Sequence, residues 1–311
     1  MADENKRYIK INKFSQNNYK DRADPTGDNG EFNKIKNYIP SPHKIETRKG
    51  VSEYSYNHRP TVDPACVLWL KFNGVSNYLD CVVNGADYME PSTRYTTSAL
   101  TVSSHEGTHA LNCQPGGNQG NGVGKLSSQL PATFPCVVDS PTTDFLVSSW
   151  FNLRKKGQTL WGKRKNAITQ MIGSLVPNSV SLTFVIRRSD GGNRTLSSGN
   201  GAFTTADNWT HVGYWYSTTL KKMGIRVYDD DSSTVVKNVS DTWVDAYIPE
   251  RANWEGFAVG GGDMILTGDN YTKDATPQVF FDDFYVLNGL PATEAAILAK
   301  IDNIRDGNHY T

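Results

Sequence analysis

The segment His105-Glu106-Gly107-Thr108-His109 fits the H-E-x-x-H pattern of zinc proteases. In that pattern two histidines one helical turn apart hold the metal and the glutamate serves as base. The flanks here argue against the helix this chemistry needs. ALTVSS precedes the segment and ALNCQPGG follows, both strand- and turn-like, and Gly107 sits inside it. In a strand, residues four apart lie roughly 13 Å from each other, too far to share one ion. The extended pattern asks for a third histidine where this chain has Pro115. A strand without zinc is therefore expected. Gly120–Leu126, GNGVGKL, imitates a phosphate loop, but Gln119 stands where its first glycine belongs and Leu126 where a Ser or Thr would meet magnesium. It reads as a turn.

Acidic and aromatic residues offer the remaining chemistry. Asp229-Asp230-Asp231 reads as a solvated hairpin tip rather than a metal loop. Asp282 and Asp283 interrupt the run VFFDDFYV, and neighbours in a regular strand point to opposite faces, so they are not expected to face one another as a pair. An acid turned toward the phenylalanines there needs a partner. No Ser/His/Asp or Cys/His constellation is evident. His211 lies in a strand and reads as packed, while His43, His58 and His309 lie toward the chain ends. Exposed Trp and Tyr rings suit the apolar faces of sugars, because they join apolar area to a polar handle. Trp161, Trp243 and Trp254 adjoin loop signals, and Trp215 shares a strand face with His211 and Gly213. These four tryptophans are the glycan-binding candidates, with core packing as the alternative for each.

The elements that must position these residues are almost all strands. Expected strands are Cys66–Phe72, Phe145–Leu153, Ala167–Ile172, Ser181–Arg187, Thr210–Ser217, Gly224–Tyr228, Phe257–Gly260 and Val279–Leu287, separated by Gly/Asn/Asp clusters. No alternation of strand and helix suggests a parallel sheet. One helix is expected near 293–304, with Thr293 as its N-cap after the Asn288-Gly289 turn and Pro291.

Residues 1–60 read differently from 61–311, and two parts are expected. The first is an extended N-terminal arm rich in Lys, Asn, Asp and Tyr, with isolated apolar anchors at Tyr8, Ile9, Ile11, Phe14, Phe32, Ile35 and Tyr38. Such a segment cannot bury enough apolar surface to fold alone, yet a purely solvating tail rarely carries so many aromatics. It is expected to order against a partner, its anchors filling pockets and Tyr8–Phe14 adding a strand to a sheet edge. The whole chain of 311 residues balances 32 basic against 32 acidic side chains, which gives no field to recruit nucleic acid or an anionic membrane. The N-terminus lacks the apolar core of a secretory signal and no run is long enough to span a bilayer, so a soluble product of a cytosol is expected. Four cysteines, Cys66, Cys81, Cys113 and Cys136, lie in or beside apolar segments and read as buried free thiols.

The order of motifs carries more than any one of them. Leu70-Lys71-Phe72-Asn73-Gly74 is followed by Gly107-Thr108-His109-Ala110-Leu111, then Phe145–Trp150, then Trp209-Thr210-His211-Val212, then the Asp282-Asp283 strand and helix. Over about 65–305 this resembles the laminin-G-like domains of the concanavalin A-like lectin/glucanase superfamily. The resemblance implies an all-β, two-sheet antiparallel jelly-roll sandwich with the arm before it and a short C-terminal helix after it. Relatives of that kind often hold a structural calcium near the last strand, which would make Asp282 or Asp283 a ligand; no other cofactor is implied. Its glycosidases carry an E-x-D-x-x-E run, and this chain has none, so a non-enzyme is expected. An arm joined to such a sandwich resembles the capsid-decorating or fibre-type proteins of tailed bacteriophages. That resemblance implies a virion surface protein made in the host cytoplasm, with the arm on coat or other virion proteins, the sandwich open to glycans, and homo-oligomerisation left open. A secreted glycan-binding module and a glycoside hydrolase are the alternatives.

Overall fold

In the computed structural model the chain divides into two compact units, Met1–Thr61 and Val62–Thr311. The structure describes residues 38–40, 45–47 and most of 62–308; the longer stretches outside it are 1–37, 48–61, 92–99, 114–122, 136–143, 244–255 and 261–278. In the first unit it describes one antiparallel pair, β1 (Tyr38–Pro40) with β2 (Ile45–Thr47). The arm positions Tyr8, Ile9, Ile11, Phe14, Phe32 and Ile35 lie outside the described residues, and Tyr38 opens β1.

The second unit is built from strands in the order β3 (Cys66–Leu70), β4 (Glu90–Pro91), β5 (Leu100–Thr101), β6 (Ala110–Asn112) and β7 (Val123–Leu126). Then come β8 (Phe145–Leu153), β9 (Gln158–Arg164), β10 (Gln170–Val176), β11 (Thr183–Arg187) and β12 (Asn193–Ser197). Last are β13 (Thr210–Ser217), β14 (Lys222–Tyr228), β15 (Val235–Thr242), β16 (Gly256–Val259), β17 (Val279–Asn288) and the helix α1 (Glu294–Arg305). Two antiparallel sheets result. One runs β12-β11-β10-β9-β16-β7-β4 and the other β15-β14-β13-β8-β17-β6-β5, with β3 also on β17.

Both sheets contribute to one hydrophobic core. Phe145, Val147, Phe151, Val212, Tyr214, Tyr216, Phe281 and Phe284 come from the eight-stranded sheet, and Trp161, Phe184, Ile186, Phe257 and Val259 from the seven-stranded one. The alternation in β13 decides this locally: Val212, Tyr214 and Tyr216 face that core, while His211, Gly213 and Trp215 face away. All nine residues of β8 are buried, so its second face is covered as well. Over one half of that outer face lies α1. Thr293 caps it by accepting the Ala296 N–H, and Ile297, Ile301 and Ile304 bury against Trp215, Tyr228, Tyr285 and Leu287. Each such isoleucine contributes about 1.5–3 kcal/mol on burial. Gly213 makes the close approach possible, since a Cβ there would lie 2.6 Å from Ile301 Cγ2.

Several expectations need correction. Val123–Leu126 is a strand, not part of a turn, because it pairs with β16 between flanking residues. His105, Gly107 and Thr108 lie in bends before β6, with Gly107 at φ 65°, so the strand begins only at Ala110. The strand expected at Ala167–Ile172 runs Gln170–Val176. The strands β9, β12 and β15 carry no continuous apolar run and were not foreseen from periodicity.

Candidate functional site

The half of the outer face not under α1 gathers the polar and aromatic residues most suited to chemistry or recognition. β8 supplies Ser148, Trp150 and Asn152, β13 supplies His211, and β17 supplies Phe280 and Asp282. Trp209 adjoins β13, and His105 reaches the group from the bend before β6. Ala110, Trp150, Trp209 and Phe280 form a small buried cluster of their own.

The geometry is specific. The His105 ring lies parallel to Trp150 with centroids 3.5 Å apart and 15° between planes. Trp209 meets His105 edge-on at 6.1 Å, and His211 lies tilted 5.0 Å from Trp150. The Ser148 hydroxyl and His211 Nε2 share a hydrogen bond of 2.8 Å. The His105 backbone N–H donates to Asp282 Oδ2 at 3.0 Å. Trp150 Nε1 and Asn152 Oδ1 are buried and have no hydrogen-bond partner among the described residues.

Strand regularity fails at the acidic pair, with consequences for the site. The pairing of β17 with β8 shifts between Asp282 and Tyr285, and Asp283 adopts φ 48°. This is a bulge, with one residue more on β17 than on its partner. Across its other edge β17 pairs with β6 at Phe280 and Phe281 and with β3 from Phe284 onward, so the bulge sits where one neighbour gives way to the next. Both carboxylates consequently turn to the outer side, contrary to the opposite faces expected of a regular strand. Asp282 Oδ1 accepts the Asp283 N–H at 2.9 Å, and Asp283 Oδ1 accepts the Trp69 indole N–H. Among the described residues no group of three or more His, Cys, Asp or Glu is placed to hold a metal ion.

The zinc-protease pattern does not assemble: His105 stacks on Trp150, while His109 Nδ1 meets the Thr108 hydroxyl at 2.8 Å. The Ser148–His211 pair is buried, at 0 and 1 % exposure, so that hydroxyl is not presented to solvent. At the helix end of the same face Cys66 hydrogen-bonds Tyr285, and burial pushes its thiol up to about 12. Burial likewise raises Cys113 and Tyr285, so none of these groups is an activated nucleophile at neutral pH. Cys66, Cys81 and Cys113 are free and buried, and Cys136 lies outside the described residues.

The tryptophans proposed from sequence as sugar platforms fare differently from that expectation. Trp161, Trp215 and Trp243 are 1, 0 and 4 % exposed. Trp161 packs between the sheets, Trp215 lies under α1 and over Gly224, and Trp243 stacks on Tyr216 at 4.9 Å. Their rings are spent on packing within the protein. Trp254 lies outside the described residues. The residues that sequence reasoning passed over, Trp150 and Asn152, gave one signal: they share a face with Ser148 in a strand whose remaining residues, Ser149 apart, are apolar.

No protein-family model and no curated protein matches the chain. Solved structures do. The binding domain of Paraclostridial Mosquitocidal Protein 1 superposes with a TM-score of 0.51 at 11 % identity, covering 78 % of this chain and 52 % of that one. The botulinum neurotoxin serotype C1 binding domain gives 0.50 at 12 % identity, covering 79 % and 53 %. The chain thus spans about half the length of each, and what it shares with them is an all-β fold.

Proposed function

We propose that this chain is a non-enzymatic recognition module. The observation that carries the reading is its fold, two antiparallel sheets around one core, which recurs in two proteins named as binding domains. The buried Ser148–His211 pair and the absence of the glycosidase acid run support it from the side of chemistry. A fold alone does not fix function. The experiment is a glycan array probed with the full chain, alongside a reducing-end assay on β-glucans. Binding without turnover is expected, and steady release of reducing ends would overturn the non-enzymatic reading.

The finer reading places the module on a virus particle. The motif order described above supports a laminin-G-like jelly roll, and the aromatic-studded residues 1–60 support an arm that anchors it to coat proteins. Sedimentation with purified particles tests this. The full chain is expected to co-sediment and a chain lacking residues 1–60 to remain in solution; equal co-sedimentation of both would remove the anchoring role.

A further inference from the structure

Trp150 and Asn152 lie two residues apart on the outer face of β8, both more than nine-tenths buried, and among the described residues neither the indole N–H nor the amide Oδ1 is answered. A well-packed core avoids such groups, since burial strips their water without returning a bond. One broad face of Trp150 is covered by the imidazole of His105, which belongs to an irregular bend and not to the sheet. His105 keeps part of its own surface in solvent. Contacts of its bend include the Asp282 bond, the Ser104 hydroxyl on Gly107 O at 3.3 Å, and the Thr108 hydroxyl on Asn73 O at 2.9 Å, the last two at the surface.

We propose that Trp150 is a carbohydrate platform and that the His105 ring is the place-holder a sugar displaces. This assignment rests on the recognition reading above and gives it a site. When His105 swings away, the indole face receives the apolar face of a pyranose, as flat aromatic rings do. Trp150 Nε1 donates to a sugar oxygen and Asn152 Oδ1 accepts from a hydroxyl. Asp282 Oδ2, released by the His105 N–H, accepts from another. Two acceptors, one of them a carboxylate, ask for a ligand rich in O–H donors and disfavour an anion. The ligand class is therefore a neutral pyranose, in preference to a sialylated one.

The test uses the full chain on an array of neutral and sialylated oligosaccharides, followed by calorimetry on the best neutral glycan. His105→Ala removes the competitor and is expected to bind about threefold to tenfold tighter, the range a stacked ring pair is worth. Trp150→Phe keeps an aromatic ring in place but loses the N–H, and is expected to bind about tenfold weaker. Near-ultraviolet circular dichroism checks that both variants keep the native packing. A glycan held with the same Kd by all three proteins, or a preference for sialylated chains, overturns the site while leaving the recognition reading standing. A blank array together with capture of a peptide ligand overturns the sugar assignment, and a blank array alone removes the glycan reading itself.

Discussion

Asp283 concentrates the tension between sequence rules and structure. A non-glycine residue at φ 48° is strained, and aspartate is among the few types that tolerate it. Its carboxylate offsets the strain by accepting the Trp69 indole N–H inside the protein. Asp283→Ala keeps the strained backbone and orphans that N–H, so denaturant titration is expected to show a loss of about 1–3 kcal/mol. Asp283→Asn, which keeps an acceptor oxygen and the tolerance for this backbone, is expected to lose less. Equal stability of all three proteins would show that the bulge does not depend on the bond. The thiols give a second residue-scale prediction. Because burial pushes Cys66 up to about 12 and raises Cys113 further, a Cys136→Ala protein is expected to leave both thiols unreactive toward a disulfide reagent at pH 8 until it unfolds. Fast native labelling of either would contradict their place in the core.

At the scale of elements, α1 is the piece whose docking decides which outer-face residues are sealed. Its grip combines buried isoleucines with ion pairs, Lys222 to Glu294 at 2.7 Å, Arg226 to Asp302 at 2.9 Å, and Lys300 to Asp63. Gly213→Ala would place a methyl against three atoms of the Ile301 side chain, and overpacking of that kind costs about 1–3 kcal/mol. A lowered thermal midpoint with an intact strand signature is expected, and an unchanged midpoint would mean α1 can slide. The Lys222 hydrogen bond holds the Glu294 carboxyl below its ordinary 4.5. A group depressed in the folded state stabilises above its unfolded pKa, and that contribution fades as pH falls through the folded value. The stability gap between the wild type and Glu294→Gln is therefore expected to be present at pH 7 and to close as pH falls through the depressed folded value of Glu294. A gap that persists at pH 2 would assign the loss to packing instead.

For the whole molecule, legibility in the sequence followed burial. Phe145–Leu153 and Thr210–Ser217 are central strands dense in apolar and aromatic residues on both faces, and their bounds were readable in full. The strands β12 and β15 stand at the sheet edges, where exposed and half-buried residues alternate and polar types suffice, so no apolar run announced them. The cap at Thr293 and the helix after it were readable because capping is local chemistry. The candidate site was only partly legible. His105 drew notice for a metal pattern it does not serve, while its partner Trp150 lay in a strand that sequence could assign to the core but not to a face.

Local pattern, then, sufficed for the all-β texture, the central strands and the capped helix, since each depends on neighbours within a few residues. Tertiary packing decided the rest. Which tryptophans are sealed, where β17 breaks register, and what His105 stacks upon all depend on layers contributed by residues far apart in the chain. Burial and ring contacts of that kind are set by the partner surface, which no local window contains.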